Sequence, residues 1–419
     1  MGVCSSQRHG VVARAHVKAS EPTAQPGSKR ERLSVWKFNS GQEPGPLTAE
    51  GFAQLFNARG KGTGKNVPRQ SADRGAENEE KSAQGTLLLL HYKVTIEGAL
   101  SIHRQDDFEE KKSKITGENI PGDFLQRLGL AVTCKKGLKP ESPNQDDYSI
   151  LVDGSTLLLG VFDGHGPFGH CVSNYIHALL PKLISQNEQL HVSPMAVFPL
   201  SFEKCQKSLE MHCERPQSNF DCVVSGSTAT VVLIQEDRVY SAHAGDSRAV
   251  ISRLLPSGKR EALVLTPDHK PTLDEEKERI ESCGGEVKKQ INDIPYRVFI
   301  RDKDYPGLAM SRSIGDLLCR EIGVISTPTV TEHILSPEDE FVLVCSDGVW
   351  EFIENEEAVD FVAGFGRMGV AQAAEQLAKK AWEKWLDIEG DVVDDITVMI
   401  AYLAKPSSST EAQSGSMQV

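Results

Sequence analysis

Leu157-Leu158-Leu159-Gly160-Val161-Phe162-Asp163-Gly164-His165-Gly166 is an apolar run of strand length that stops on a carboxylate and breaks into Gly-His-Gly. Its length and bounding turn residues predict a buried strand over Thr156–Phe162, with another just before it at Tyr148–Val152. The texture recurs at Thr228–Ile234, Arg238–Ala242, Ala249–Ile251, Phe341–Cys345 and Ile396–Leu403, and Thr86–Ile96 has room for one or two strands more. Between these runs, helical periodicity covers Phe168–Ile184, Ser201–Met211, Leu273–Ser282 and Val370–Leu386. Strands cluster and helices pair, without strict βαβ alternation, so an α+β layered architecture is expected over a doubly wound parallel sheet.

The carboxylates stand where these runs end or begin. Asp163 is followed by Gly164; Asp347 follows Phe341–Cys345 after one serine and precedes Gly348; Asp394 and Asp395 open Ile396–Leu403; Asp146 precedes Tyr148–Val152. Singly, each reads as a turn residue. With the strands side by side, the acids converge at one sheet edge, where cations must compensate them. All-oxygen ligands select hard ions, Mg²⁺, Mn²⁺ or Ca²⁺, over zinc or copper. Glycine after Asp163 lets the backbone approach such an ion, making the Gly164 carbonyl a candidate ligand. His165 becomes a candidate proton donor, although a lone histidine is more often structural. Two hard ions about 3.5–4 Å apart suit in-line attack on a phosphoryl group. The expected chemistry is phosphate-ester hydrolysis by direct attack of a metal-bound hydroxide.

Composition narrows the field. The chain has 419 residues, a formal charge of −13, 39% hydrophobic and 25% charged residues, which excludes collagen-like, disulfide-scaffold and wholly disordered classes. Residues 1–70 hold 11 Lys+Arg against 4 Asp+Glu, leaving 35 against 55 for the rest, a basic tail on an acidic body that argues against nucleic acid as partner. No apolar run reaches membrane-spanning length. The nine cysteines are scattered without a C-x-x-C pair and read as reduced thiols, with no zinc cluster.

Met1-Gly2-Val3-Cys4-Ser5-Ser6 fits the N-myristoylation pattern, with Gly2 as acceptor. One such chain binds membranes with K of only about 10⁴ M⁻¹, so a second signal is needed; Cys4 offers palmitoylation and the basic tail adds attraction to anionic lipid. The expectation is a peripheral, lipid-anchored protein at the cytoplasmic face of a membrane, otherwise cytoplasmic. Arg59-Gly60-Lys61-Gly62-Thr63-Gly64-Lys65-Asn66 fails the phosphate-loop spacing and reads as basic linker. The expected organisation is an acylated, largely disordered tail and linker over 1–85, an extension over 86–120 with strands to add to the catalytic domain, that domain over 121–405, and a flexible tail over 406–419.

Eight motifs then occur in order. They are Asn144-Gln145-Asp146-Asp147, Val161-Phe162-Asp163-Gly164-His165-Gly166, Ser225-Gly226-Ser227-Thr228-Ala229, Ala244-Gly245-Asp246-Ser247-Arg248-Ala249, Pro267-Asp268-His269-Lys270-Pro271, Leu308–Asp316, Ser346-Asp347-Gly348-Val349-Trp350 and Asp394-Asp395-Ile396-Thr397-Val398. Together they resemble the metal-dependent serine/threonine protein phosphatases of the type 2C family, over roughly residues 125 to 404. The resemblance implies a central β-sandwich of two antiparallel sheets flanked by pairs of helices, a four-layer αββα fold, with two Mg²⁺ or Mn²⁺ ions at one end. By position, Asp163 would bridge both ions, Asp347 and Asp394 would hold one, and the Gly164 carbonyl the other. Asp146 would act through water, with Gln145, Thr228 and Glu351 as outer partners. Asp246 would join Asp347 at a third, weaker ion, and His165 would be the general acid. Residues about 268–310 would form a variable flap beside the cleft.

This chain departs from the family pattern at three places. Gln145 stands where Glu is common, Asp395 where Asn is frequent, and Glu141 where an arginine commonly binds substrate phosphate, a role that Lys139 or Lys136 would take as a point charge. The leading expectation is a membrane-tethered Mg/Mn-dependent protein serine/threonine phosphatase acting on phosphoproteins, a monomer by default. The alternatives are a catalytically weak or inactive phosphatase-fold adaptor at a membrane, whose expected loss of metal aspartates is not seen, and a metal nuclease or nucleotide phosphohydrolase.

Overall fold

The computed structural model describes residues 93–100, 105–118, 120–139, 142–290 and 295–404; the acylation motif, the basic linker, Glu141 and the tail beyond 404 lie outside them. The strands in chain order are β1 (Lys93–Gly98), β2 (Ser113–Thr116), β3 (Leu130–Lys135), β4 (Asp146–Asp153), β5 (Thr156–His165), β6 (Gly226–Ser227), β7 (Ala229–Gln235), β8 (Arg238–Ala244), β9 (Arg248–Leu254), β10 (Arg260–Val264), β11 (Gly285–Lys288), β12 (Arg297–Ile300), β13 (Pro306–Leu308), β14 (Ile314–Gly315), β15 (Thr329–Ile334), β16 (Asp339–Cys345) and β17 (Ile396–Tyr402). The helices are α1 (Phe124–Leu128), α2 (Gly169–Ser185), α3 (Pro194–Cys213), α4 (Asp274–Ser282), α5 (Leu317–Arg320), α6 (Asp347–Trp350), α7 (Asn355–Ala363) and α8 (Val370–Glu389).

Two antiparallel sheets carry the molecule. One runs β15-β8-β7-β5-β4-β1-β2, with β6 and β14 attached beside the end of β5; the other runs β10-β9-β16-β17-β3. The central strands are buried on both faces, which is why their sequences are continuous apolar runs without alternation of polarity. Leu157, Leu159 and Val161 of β5 meet Val342 and Val344 of β16 and Met399 of β17 between the sheets. Leu158 and Phe162 point the other way, into the layer formed with Val172, Ile176 and Leu180 of α2 and Phe198, Phe202 and Leu209 of α3. Phe341, Leu343 and Cys345 of β16 pack outward onto Val359 and Val362 of α7 and Ala374, Leu377 and Ala381 of α8. The result is the expected four layers, with a helix pair outside each sheet. Burying one such apolar side chain is worth about 1.5–3 kcal/mol, so three contiguous layers of them decide the architecture.

Local sequence explains most boundaries. On α8, Val370, Ala373, Ala374, Leu377, Ala378, Ala381 and Trp385 recur at helical spacing and form its buried stripe. The second outer helix differs from expectation: it starts at Pro194, seven residues before the predicted Ser201, and carries Pro199 inside. Proline removes one helical hydrogen bond, but burial of Val197 and Phe198 at the disputed turn outweighs that loss. α7 had no clear signature in the sequence and is held by Val359 and Val362. The stretch expected as a flap is a small unit of its own, α4 with the sheet β11-β12-β13 around Ile280, Val298 and Leu308.

Candidate active site

The β4–β5 hairpin sets the first corner. Its register places Asp146 directly opposite Asp163, at the end of the first sheet. In the second sheet β16 and β17 run antiparallel with Cys345 opposite Val398, so Asp347, just past β16, and Asp394, just before β17, leave from the same end. Asp246 lies in the connection from β8 to β9, where the chain passes from one sheet to the other. The link between sheets is Asp146 itself: its Oδ2 accepts hydrogen bonds from Ser346 Oγ and Thr397 Oγ1, both 2.7 Å, which belong to the other sheet's ends.

Electrostatics confirm that these groups feel one another. Burial raises the Asp163 carboxyl well above the usual range, and the charges of Asp146, Asp347, Asp394 and Asp246 raise it further. Burial also raises Asp347 well above that range, with Asp394 and Asp246 adding to it and Lys270 and Lys139 opposing. Asp146 is pushed up to about 7 by burial and the Asp395 charge, against the hydrogen bonds from Thr397 and Ser346. Asp146 Oδ1, Asp246 Oδ1 and Asp347 Oδ1 are buried and find no hydrogen-bond partner among the described residues. Such atoms are costly unless a cation meets them. Two lysines meet part of the charge: Lys139 pairs with Asp394, and Lys270 lies 2.7 Å from Asp246 Oδ2.

An all-oxygen donor set with orphaned buried carboxylate oxygens fits Mg²⁺ or Mn²⁺ by chemistry. Among the described residues, however, no three His, Cys, Asp or Glu side chains close around a single point as a preassembled metal cage. The acids are gathered without being drawn into one coordination sphere.

The surrounding residues are fixed in ways only partly foreseen. Gly164 N–H donates to Gln145 O (3.1 Å), and Gln145 Nε2 donates to Gly166 O (2.8 Å). Thr228 Oγ1 accepts from Asp163 N–H (3.0 Å), while Thr228 N–H donates to Asp163 O (2.8 Å). Glu351 sits exposed just past α6, its N–H donating to Asp347 O (2.9 Å). Of the two lysines considered for phosphate, Lys139 reaches the acidic centre, whereas Lys136 is buried with its Nζ donating to the carbonyls of Gly137 and Lys139, both 2.8 Å. Asp395, which stands where Asn is frequent, binds two loops: its carboxylate accepts from Gly137 N–H (2.7 Å) and Gln145 N–H (2.8 Å). An asparagine there would present only one acceptor oxygen to those two donors.

His165 has a partner that sequence reasoning missed. Its Nε2 lies 2.6 Å from Asp316 Oδ2, which also accepts from Ser313 Oγ (2.6 Å). Burial alone would lower the imidazole pKa, but the Asp316 carboxylate outweighs it and raises it. The two residues are 151 apart in sequence and meet because β6 lies between the end of β5 and β14, pairing His165 with Gly226 and Gly226 with Gly315. The clue available in sequence was the Gly315-Asp316 pair, which echoes the other strand-end aspartates.

Comparison with known proteins gives the family. The sequence model for protein phosphatase 2C matches residues 142–385. "Probable protein phosphatase 2C 64" of Oryza sativa subsp. japonica is 38% identical over 304 residues, 70% of this chain and 70% of that protein. "Probable protein phosphatase 2C 34" of Arabidopsis thaliana is 35% identical over 268 residues, 60% of this chain and 74% of that protein. The fold is similar to the crystal structure of serine-threonine phosphatase 2C from Toxoplasma gondii, with a TM-score of 0.57 at 20% identity, covering 74% of this chain and 98% of that one. The protein is thus an enzyme of the metal-dependent serine/threonine phosphatase class. Within that class, the chain belongs to the protein phosphatase 2C family.

Proposed function

We propose that this chain is a membrane-tethered phosphatase that hydrolyses phosphoserine and phosphothreonine in proteins, with Asp163, Gly164, Asp347 and Asp394 holding two Mg²⁺ or Mn²⁺ ions and Asp246 contributing to a weaker third. The observation that carries the catalytic reading is the set of buried, orphaned carboxylate oxygens on Asp146, Asp246 and Asp347, delivered from separate strand ends. When bound, such ions activate a water for in-line attack and neutralise the phosphoryl charge. The chain's own residues do the rest. Asp146, tied to Ser346 and Thr397 by Oδ2, keeps Oδ1 free to orient that water. Lys139 offers the cation for the substrate's phosphoryl oxygens. His165, its pKa raised by the Asp316 carboxylate, donates a proton to the leaving serine or threonine oxygen. Gly2 and Cys4, outside the described residues, would carry the acyl chains.

The test is release of phosphate from phosphoserine and phosphothreonine peptides by the full chain. It is expected to require added Mn²⁺ or Mg²⁺ and to vanish in Asp163→Asn. No turnover on any of several peptides at saturating metal would leave the adaptor reading in its place. In the same preparations, Gly2→Ala is expected to move the protein from the membrane to the soluble fraction while hydrolysis of a small soluble ester is unchanged; persistent membrane attachment would refute the acyl anchor.

A further inference from the structure

Lys111 and Asp147 form an ion pair that is almost wholly inside the protein, with side-chain exposures of 1% and 0%. Lys111 Nζ lies 3.2 Å from Asp147 Oδ2 and donates to the carbonyl oxygen of Asp146 at 2.5 Å. The Asp147 carboxylate is itself a hub: it accepts from Asn174 Nδ2 (3.1 Å) and Tyr148 N–H (3.0 Å) and faces His177 Nδ1 (3.1 Å). The backbone that carries Lys111 cannot drift, because its N–H donates to Cys134 O (2.8 Å) while Glu110 accepts from Cys134 N–H (3.0 Å) and pairs with Lys135 (3.0 Å). On the other side β1 pairs with β4 through Glu97 opposite Ser149, and Gly98 approaches so closely that a Cβ there would lie 2.1 Å from Asp147 Oδ1.

All of these partners of Asp147 from β1 and the Lys111 segment precede residue 142, where the family match begins. We propose that Lys111 is a positioning residue for the Asp146 corner of the active site, and that the described segments 93–100 and 105–118 are therefore part of the catalytic unit. Desolvating an ammonium and a carboxylate offsets much of their mutual attraction, so the pair is a poor device for stability alone. What it does is fix a backbone. Asp146 is bonded at its carbonyl by Lys111 from the extension and at its Oδ2 by Ser346 and Thr397 from the second sheet, which leaves Oδ1 aimed in one direction. Outer partners of this kind govern how well a carboxylate site holds its ion.

The inference rests on the metal-holding role proposed above for the surrounding aspartates. Its test uses the full chain with Lys111→Met and Asp147→Asn together, which removes one positive and one negative charge and so leaves the local net charge unchanged. Mn²⁺ binding is measured by titration calorimetry, alongside kcat and KM on p-nitrophenyl phosphate. The expected result is Mn²⁺ affinity weaker by about tenfold or more, in the range seen when outer partners of metal ligands are removed, with KM for the ester unchanged. Affinity within twofold of the unsubstituted chain, whatever happens to the melting temperature, overturns it. Should the double variant fail to fold, Gly98→Ala displaces Asp147 without touching a charge and is expected to weaken Mn²⁺ binding in the same direction; unaltered binding there is the overturning result. An unsubstituted chain that binds no Mn²⁺ overturns both this inference and the functional reading, whereas unaltered binding in the variants overturns this inference alone.

Discussion

His165 and Asp316 show how much one contact changes the meaning of a residue. A histidine framed by glycines is an ambiguous signal in a sequence. With Asp316 Oδ2 at 2.6 Å and Ser313 Oγ anchoring that same oxygen, it becomes an oriented group with a raised pKa at the edge of the acidic centre. A proton donor matters when the leaving group is a poor one and hardly at all when it leaves as a stable phenolate. Asp316→Asn is therefore expected to cut kcat on a phosphoserine peptide by about 10²-fold, within the usual worth of general acid catalysis, and to change p-nitrophenyl phosphate turnover by less than about threefold. Equal losses on both substrates would show that Asp316 serves the fold and not the proton.

At the scale of elements, the short ladder of β5, β6 and β14 is what brings that pair together. Gly226 is its middle rung, and a Cβ there would fall 2.1 Å from Asp316 Oδ2 and 2.7 Å from His165 Nε2. The space between the two strands is filled by the dyad itself. Gly226→Ala is expected to fold, since the side chains can swing away, but to show the same leaving-group dependence as Asp316→Asn. The double variant should be no worse than either single one, because both break one interaction; additive losses would mean that Gly226 acts elsewhere. The ladder was invisible in the sequence for a physical reason. β6 and β14 are two residues each, far below the length at which alternation or a run of apolar residues can be read, and they lie far apart in the chain from each other and from β5.

The whole molecule stores its acidic centre at a cost. Asp163 and Asp347 have folded-state pKa values well above normal and Asp146 one of about 7, each chiefly through burial, against about 3.9 in an unfolded chain. Between those values the folded protein binds more protons than the unfolded one, so stability falls as pH rises through this window and recovers on acidification. A divalent ion does at neutral pH what protons do in acid. Chelation at pH 7 is thus expected to lower the melting temperature, by several degrees if Mn²⁺ had been present at about a hundred times its Kd, a stabilisation of about 2.7 kcal/mol. The gap between Mn²⁺-loaded and chelated protein should narrow from pH 7 to pH 5. A gap that stayed constant or widened, followed by scanning calorimetry, would mean that these carboxylates are not where the ion binds.

By itself the sequence determined the layers and the ends. Runs such as Leu157–Phe162 and Phe341–Cys345 are apolar at successive positions because both of their faces are covered, and helices such as α8 carry one buried stripe, so a layered α+β architecture follows from local pattern, while the order of four layers was expected from the family resemblance. The strand-end aspartates are legible for the same reason, since each stands abruptly before or after an apolar run. Only the tertiary structure decided which polar groups face one another. Asp316 beside His165, Asp395 bridging Gly137 and Gln145, and Lys111 beneath Asp146 join residues 151, 258 and 250, and 35 positions apart. Hydrophobic burial is non-directional and can be read from composition and period along the chain; a hydrogen bond between distant side chains depends on register and angle, which exist only once the sheets have formed.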